Sequence, residues 1–220
     1  SIGLARKDFI RYHSDSVDED DEIFLYDFNE KSAVNLDMLL DVTPNAEINI
    51  LLLDNLGDIK AHGHVLIDLG INTRGDNKMY GLYVMDDGDF KLNLENIFKR
   101  NFRIRSGSTI AFNGSPTDAT VNLKAEYKTK TSLAGLPNVP LEITGERVMV
   151  NCVVSLQNSL MKPDIRFSIE LPNATEEVKQ YVFSAIDTTN VNAMNQQMIS
   201  LLALNSFATT SGILVNEERW

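Results

Sequence analysis

The sequence has few of the residues from which active sites and cross-links are built. One cysteine, Cys152, among 220 residues excludes an internal disulfide. There are three histidines, and no G-x-S-x-G, G-x-G-x-x-G or Walker pattern is present. No apolar run approaches the roughly 20 residues that a membrane-spanning helix needs. These absences predict a protein that is not an enzyme, has no catalytic residues and binds no cofactor or metal.

Positive charge is also scarce. Lys and Arg total 20 against 31 Asp and Glu, so the net charge is −11 and the pI is near 4.7. This excess argues against a nucleic-acid partner, whose phosphates require a basic surface, and against general adhesion to anionic membranes. Eight of the acids fall within residues 13–30, which contain no Lys or Arg. A solvated loop is the simpler interpretation, because the spacing does not match an EF-hand and lacks its central Gly.

Alternation of apolar and polar residues is the dominant pattern that is present. The segment Ala119–Thr129 places Leu123 and Tyr127 on one face of a strand, and Asn122 and Lys124 on the other. Several alternating segments exceed ten residues, which is about 33 Å at ~3.3 Å per residue. The sequence therefore predicts long antiparallel strands with one apolar and one polar face. Besides 119–129, the alternating segments are 34–42, 59–71, 90–104, 148–156 and 165–171.

Turn signals separate most of these segments. Asn55–Asp58 and Asp86–Asp89 carry the Asn, Asp and Gly residues that tolerate turn conformations. In this interpretation Phe90, Leu92, Leu94 and Phe98 belong to one strand that can run on to Ile104. Its polar face would carry Lys91, Asn93, Glu95 and Arg100.

The period of the apolar residues changes after Pro172. Asn173 and Glu176 are typical of a capping box, with Asn173 as the N-cap, and apolar residues follow at helical spacing up to Ile186. A second helix is predicted from Val191 to near residue 206. We expect the helix at 174–188 to lie against the apolar face, because it has an apolar stripe to bury.

Two candidate sites have simpler explanations. His62 and His64 alternate on a strand and so point the same way, as in some zinc sites, but no third ligand follows from the sequence. The apolar set of that strand lies opposite, so both are expected as solvated side chains. Cys152 lies between Val150 and Val154 at a spacing of two, which predicts a buried structural thiol rather than a nucleophile.

Three blocks of motifs resemble the C-terminal region of TamB-family proteins. The first is D-x-T-P-x-A-E at 41–47, followed by an apolar strand and Gly57-Asp58. The second combines Y-G-x-Y at 80–83, F-x-I-x-x-G-S at 102–108 and P-x-D-A at 116–119. The third is P-x-I-x-F at 163–167 with Q-x-x-x-L-L-x-x-x-S-F at 197–207. Each motif is short, but their order and spacing over residues 34–207 are specific.

The resemblance implies a fragment of a large envelope protein of bacteria with two membranes. Such proteins are anchored in the inner membrane, cross the periplasm and work with a TamA-like outer-membrane barrel. The family is tied to outer-membrane protein assembly and to phospholipid movement between the membranes. The implied fold is a curled sheet, the β-taco, with an apolar concave face. We expect one domain over 1–220, with a first strand and acidic loop in 1–33, a meander in 34–171 and helices in 173–207.

Three functions remain open from the sequence. Phospholipid acyl chains could slide along an apolar groove, or the groove could act as a scaffold for strands of outer-membrane proteins. Alternatively, the core is closed and the domain is structural. The predicted groove residues share the apolar positions of the alternating segments: Leu36, Met38, Leu40, Val65, Ile67, Leu69, Phe90, Leu92, Leu94, Val121, Leu123, Tyr127, Val150, Val154, Ile165, Phe167 and Ile169.

Overall fold

A computed structural model describes residues 11–13, 36–71, 77–94, 98–114 and 118–209. For 11–13, 36–46, 65–71, 77, 79, 94 and 98 it describes the backbone and not the side chains. The acidic stretch at 14–30 lies outside the described residues, as does most of the segment 1–33.

The described residues form a nine-stranded sheet followed by two helices. The mainly β antiparallel fold with two C-terminal helices is confirmed. Strands follow each other in sequence order, except that β5 and β6 both pair with β4 and together occupy the position before β7. The elements are β1 (Arg11–His13), β2 (Leu36–Leu51), β3 (Gly57–Ile71), β4 (Asn77–Leu94), β5 (Phe98–Ile104), β6 (Thr109–Gly114), β7 (Ala119–Ser132), β8 (Arg147–Ser159), β9 (Asp164–Glu170), α1 (Glu176–Ala185) and α2 (Val191–Leu204).

The chain divides into two compact units. Unit 1 comprises Ser1–Ala125 and Ser155–Ile165, and unit 2 comprises Glu126–Val154 and Arg166–Trp220. The single domain expected over 1–220 stays a prediction beside this division.

In unit 1 the strand register aligns apolar residues in rows across the sheet. One row joins Ile50, Ile59, Phe90 and Phe102. Because residues paired across strands share a face of the sheet, such rows define one apolar surface, which we call the dry face. Its members with described side chains are Ile48, Ile50, Ile59, Ala61, Tyr83, Met85, Phe90, Leu92, Phe102, Ile104, Ile110, Phe112, Ala119, Val121, Leu123 and Ala125.

A β-bulge in β4 keeps the dry face continuous. His62 pairs with Asp87 and Gly63 pairs with Met85, so Asp86 is an extra residue. One extra residue reverses the alternation of side chains. As a result the odd positions before the bulge and the even positions after it face the same side. The turn expected at Asp86–Asp89 is therefore wrong, since these residues lie inside the 18-residue β4.

The expected continuous strand over 90–104 is also wrong. β4 ends at Leu94, and β5 begins at Phe98 and runs back antiparallel along it. Further along, β5 and β6 run in the same direction, and the four residues from Arg105 to Ser108 interrupt the strand between them. This interruption lies beside the bulge, because the Met85 N–H donates to the Ser108 carbonyl at 2.8 Å.

Side chains cap the N-termini of both helices, and the cap of α1 lies two residues later than predicted. Thr175, rather than Asn173, is the N-cap of α1, and its Oγ1 accepts from the Val178 N–H at 3.3 Å. The extended backbone of Thr175 (φ −66°, ψ 159°) suits an N-cap, and Glu176 then starts the helix, where an acid is favoured. Asn190 caps α2 in the same way.

Candidate hydrophobic site

The dry face of unit 1 is sealed from water in the chain on its own. Phe90, Phe102 and Leu123 are 0% exposed, Leu92 is 1% exposed and Val121 is 3% exposed. Side chains that line an open trough remain accessible to a water-sized probe. The described rows therefore contact other protein atoms, and a ligand could reach them only if those contacts separate.

The predicted groove residues fall into four groups. Phe90, Leu92, Val121 and Leu123 lie on the dry face of unit 1, whereas Val150 and Val154 are buried in unit 2. Ile169 is also buried, and Tyr127, Ile165 and Phe167 are half-buried. The remaining side chains lie outside the described residues: Leu36, Met38, Leu40, Val65, Ile67, Leu69 and Leu94.

The backbone register nevertheless aligns most of that last group. Met38 is opposite Leu69, and Leu40 is opposite Ile67. Val65 is in turn opposite Tyr83, which belongs to the dry face. These register positions extend the apolar rows towards the far ends of β2 and β3.

Two polar side chains on or near the dry face, those of Tyr83 and Ser108, form hydrogen bonds within the sheet. The Tyr83 hydroxyl is buried and donates to the Ala61 carbonyl at 3.1 Å. Ser108 lies where β5 and β6 are interrupted, and its Oγ donates to the Arg105 carbonyl at 2.8 Å. The same Oγ accepts from the Lys124 N–H at 3.1 Å. The Gly-Ser motif at 107–108 therefore replaces ladder hydrogen bonds that the interruption removes.

The register places Arg100 at a dry-face position, although the sequence interpretation assigned it to the polar face. Arg100 pairs with Leu92, just as Phe102 pairs with Phe90. Arg100 is half-buried. Its spacing of two from Phe98 and Phe102 is the sequence signal that reveals this position.

The two histidines of β3 lie on the opposite, wet face, as expected. His62 Nε2 is 3.3 Å from Glu47 Oε2, and its Nδ1 is 3.3 Å from Asp87 Oδ1. His64 Nδ1 is 2.8 Å from Asp86 Oδ2 at the bulge. The described residues contain no group of three or more His, Cys, Asp or Glu placed to hold a metal ion.

Glu47 is the least exposed carboxylate of this wet-face cluster. Burial alone would raise the pKa of Glu47, but the hydrogen bond from Asn49 and the nearby Lys60 and His62 outweigh it and lower the pKa overall. The cluster pairs Glu47 with Lys60 and places both histidines within 3.3 Å of carboxylate oxygens.

In unit 2, the end of α2 lies over the last third of β7. Thr129 and Thr131 continue the face that carries Leu123 and Ala125, and both are buried. Thr129 Oγ1 donates to Asn205 Oδ1 at 3.0 Å. Asn205 is the C-cap of α2 and has left-handed backbone angles (φ 52°, ψ 34°), which Asn tolerates better than most residues.

The Q-x-x-x-L-L-x-x-x-S-F motif builds a clamp after α2. Gln197 donates from Nε2 to the Ala208 carbonyl at 3.2 Å and accepts at Oε1 from the Ala208 N–H at 2.9 Å. Ser200 Oγ donates to the Ser206 carbonyl at 2.7 Å. Phe207 is buried beside Gly135, where a Cβ would lie 2.9 Å from the Phe207 carbonyl oxygen. The motif therefore has a structural role in holding residues 205–209 against α2.

The other predictions for unit 2 have mixed outcomes. Cys152 is fully buried, as predicted, and burial raises the pKa of its thiol to about 12. Val178 and Val182 of α1 are buried, and the Tyr181 hydroxyl donates to the Pro137 carbonyl. Contact between α1 and the dry face stays a prediction.

These features define a class of protein. They are those of a mainly β protein with a long antiparallel sheet followed by two helices, a fold that does not by itself assign a function. The chain belongs to the TamB family, since the family model described as TamB C-terminal domain matches residues 8–218. No match is found among curated proteins or among solved structures.

The family assigns the chain to the cell envelope. TamB proteins are non-enzymatic envelope proteins associated with outer-membrane assembly and with TamA-type partners. Within the described part of the chain, neither helix has the length and apolar character needed to cross a membrane.

Proposed function

We propose that this domain carries phospholipid acyl chains along the dry face of its sheet. It would do so in the periplasm, as part of a protein anchored in the inner membrane that works with a TamA-like outer-membrane barrel. The observation that carries the proposal is the run of apolar rows across β2 to β7 of unit 1. Transfer of one CH₂ group from water to an apolar surface is worth ~0.8 kcal/mol, so acyl chains need no specific contact there.

The sealed state of the dry face constrains the mechanism. Phe90 and Leu123 already contact protein atoms, so an arriving acyl chain must replace those contacts with similar apolar ones. Such an exchange costs little hydrophobic free energy, because apolar surface remains out of water before and after it. The strand pairing is irregular at Asp86 and at Ser108, where the Met85 N–H donates to the Ser108 carbonyl and the Gly107 N–H donates to the Met85 carbonyl.

Site-specific photo-crosslinking tests the proposal. A small diazirine side chain at Leu123 or at Phe102 should crosslink to phospholipid when the chain is incubated with vesicles. The matched controls are Asn122 and Asn101, which are exposed on the wet face next to these two positions. Equal crosslinking from both faces would contradict the proposal, and absence of lipid from all four positions would favour the closed structural core.

The end of the sheet supports a second candidate function, a scaffold for strands of outer-membrane proteins. In the described part of the chain β9 is the last strand of the sheet, and its Ile165 and Phe167 are half-buried. A terminal strand can pair with an incoming strand through its backbone. Retention of an unfolded barrel segment that is lost on Leu123→Asp and unaffected by added phospholipid would favour this candidate over lipid transport.

A further inference from the structure

Irregular strand pairing recurs at one level of the sheet in unit 1. In β2, the backbone of residues 43–45 lies opposite the single residue His64. In β4, Asp86 is an extra residue directly after Met85. The break at 105–108 lies beside Met85 as well, because the Met85 N–H donates to a carbonyl within it at 2.8 Å. These irregularities fall within three residues of one row across β2 to β6, and we call this line the crease.

The pairing at the crease favours local separation of the strands there. An extra residue in one strand disrupts the ladder locally, and regular pairing resumes on both sides, where Val42 is opposite Val65 and Ala46 is opposite Gly63. Pro44 lies within the crease and has no N–H group to donate to a neighbouring strand. Local opening of a protein requires the least free energy where its ladder is disrupted, so the crease opens before the regular ladder on either side.

Polar contacts on the wet face join the strands beside the crease. His62 Nε2 is 3.3 Å from Glu47 Oε2, and His62 Nδ1 is 3.3 Å from Asp87 Oδ1. Arg103 Nη2 donates to Asp87 Oδ2 at 3.2 Å. These contacts join β2 to β3, β3 to β4 and β4 to β5 in turn, so they oppose separation of the strands. We call the four residues Glu47, His62, Asp87 and Arg103 the latch.

The crease crosses the middle of the dry face. Tyr83 and Met85 lie at the crease on that face and are 0% exposed. Phe90 lies to one side of them and Phe112 to the other, and both are buried. Separation of the strands here would therefore admit an acyl chain to both halves of the apolar rows.

We propose that the sheet of unit 1 opens at the crease to admit an acyl chain to the dry face, and that the latch holds it closed. The inference rests on the proposed function and adds to it the route by which lipid enters a sealed face. The latch suits this role because its contacts are exposed and individually weak. The side chains of Asp87 and Arg103 are 53% and 61% exposed, so their contact can release without unfolding of unit 1.

Hydrogen exchange of the lipid-free 220-residue chain, followed by mass spectrometry, tests the latch. Asp87→Ala removes the contacts to His62 and to Arg103, and it should speed exchange at residues 61–64 and 85–88 about three-fold or more. Exchange at residues 90–94, where the pairing is regular, should not change. Asp58→Ala is the matched control, because Asp58 is exposed on the wet face of β3 in a regularly paired position, and it should have no effect at the crease.

Stopped-flow transfer of a pyrene-labelled phosphatidylcholine from vesicles to the chain tests the route. Asp87→Ala should raise the rates of lipid loading and of lipid release by a similar factor, about three-fold or more, and leave the dissociation constant unchanged. The reason is that the latch lies on the wet face and controls access without contacting the acyl chain. Arg103→Gln removes the other partner of Asp87 and should act in the same direction, whereas Asp58→Ala should change neither rate.

The outcomes separate this inference from the proposed function. If the wild-type chain takes up no labelled lipid, the proposed function fails, and the entry route fails with it. If lipid is taken up and the two latch variants leave both rates unchanged, the entry route alone is wrong. Exchange that rises equally at residues 90–94 would show that Asp87 only stabilises unit 1 as a whole, and would refute the latch. A changed dissociation constant with an unchanged loading rate would also refute it.

Discussion

Truncation of Leu123 tests whether the dry face is packed against protein atoms in the absence of lipid. Leu123 lies in the middle of the apolar half of β7 and is 0% exposed. Leu123→Ala removes three carbon atoms, worth about 2.4 kcal/mol at ~0.8 kcal/mol for each. The cavity left behind adds to this, so we expect a loss of about 3–5 kcal/mol in the free energy of unfolding.

Urea unfolding of the lipid-free chain, followed by far-ultraviolet circular dichroism, measures this loss. Asn122→Ala is the control on the neighbouring exposed position, and it should stay within about 0.5 kcal/mol of wild type. Wild-type and variant proteins must give the same denaturant slope for the comparison to hold. A loss below about 1 kcal/mol for Leu123→Ala would mean that Leu123 lines open space, and the sealed dry face would then be wrong.

Three further predictions concern the bulge, the clamp and the cysteine. Gly88→Ala should lower the free energy of unfolding in urea by more than about 2 kcal/mol, because its Cβ would lie 2.3 Å from the Lys60 carbonyl oxygen. Gly145→Ala is the control and should be near neutral, because its Cβ would enter open space. Gln197→Ala should lower the free energy of unfolding by about 1–3 kcal/mol and speed proteolysis after α2, because it removes both hydrogen bonds to Ala208. Gln196→Ala, at the exposed neighbouring position, should change neither, and equal rates of proteolysis for the two variants would refute the clamp. Cys152, with a thiol pKa of about 12, should not react with a disulfide reagent at pH 8 until urea unfolds the chain, and rapid labelling of the native protein would contradict its burial.

The apolar rows could be predicted from the sequence because alternation is a local property. Ala119–Thr129 alternates without a break, and its burial follows the predicted face up to Ala125. The bulge at Asp86 could not be predicted in this way. Asp-Asp-Gly-Asp has the composition of a turn, and what makes it a bulge is pairing with His62 and Gly63, more than 20 residues earlier in the chain.

The sequence was sufficient to predict which residues form the candidate site, but not whether their side chains are exposed or buried. Spacing alone placed Phe90 and Leu92 on the apolar face of one strand and Leu123 on the apolar face of another. Whether that face is open or sealed depends on which atoms pack against it, and no local pattern contains this information. Arg100 shows the reverse case, because its spacing of two from Phe102 was sufficient to place both residues on the same face of β5.

The most direct test of acyl chains on the dry face is methyl NMR with a lipid that carries a nitroxide on its acyl chain. Methyl signals of Leu92 and Leu123 should broaden on addition of this lipid. The methyls of Leu82, which is 41% exposed on the wet face of β4, should remain sharp. Broadening of Leu82 with sharp signals from Leu92 and Leu123 would show that lipid adsorbs only to the outer surface, and would contradict acyl-chain binding on the dry face.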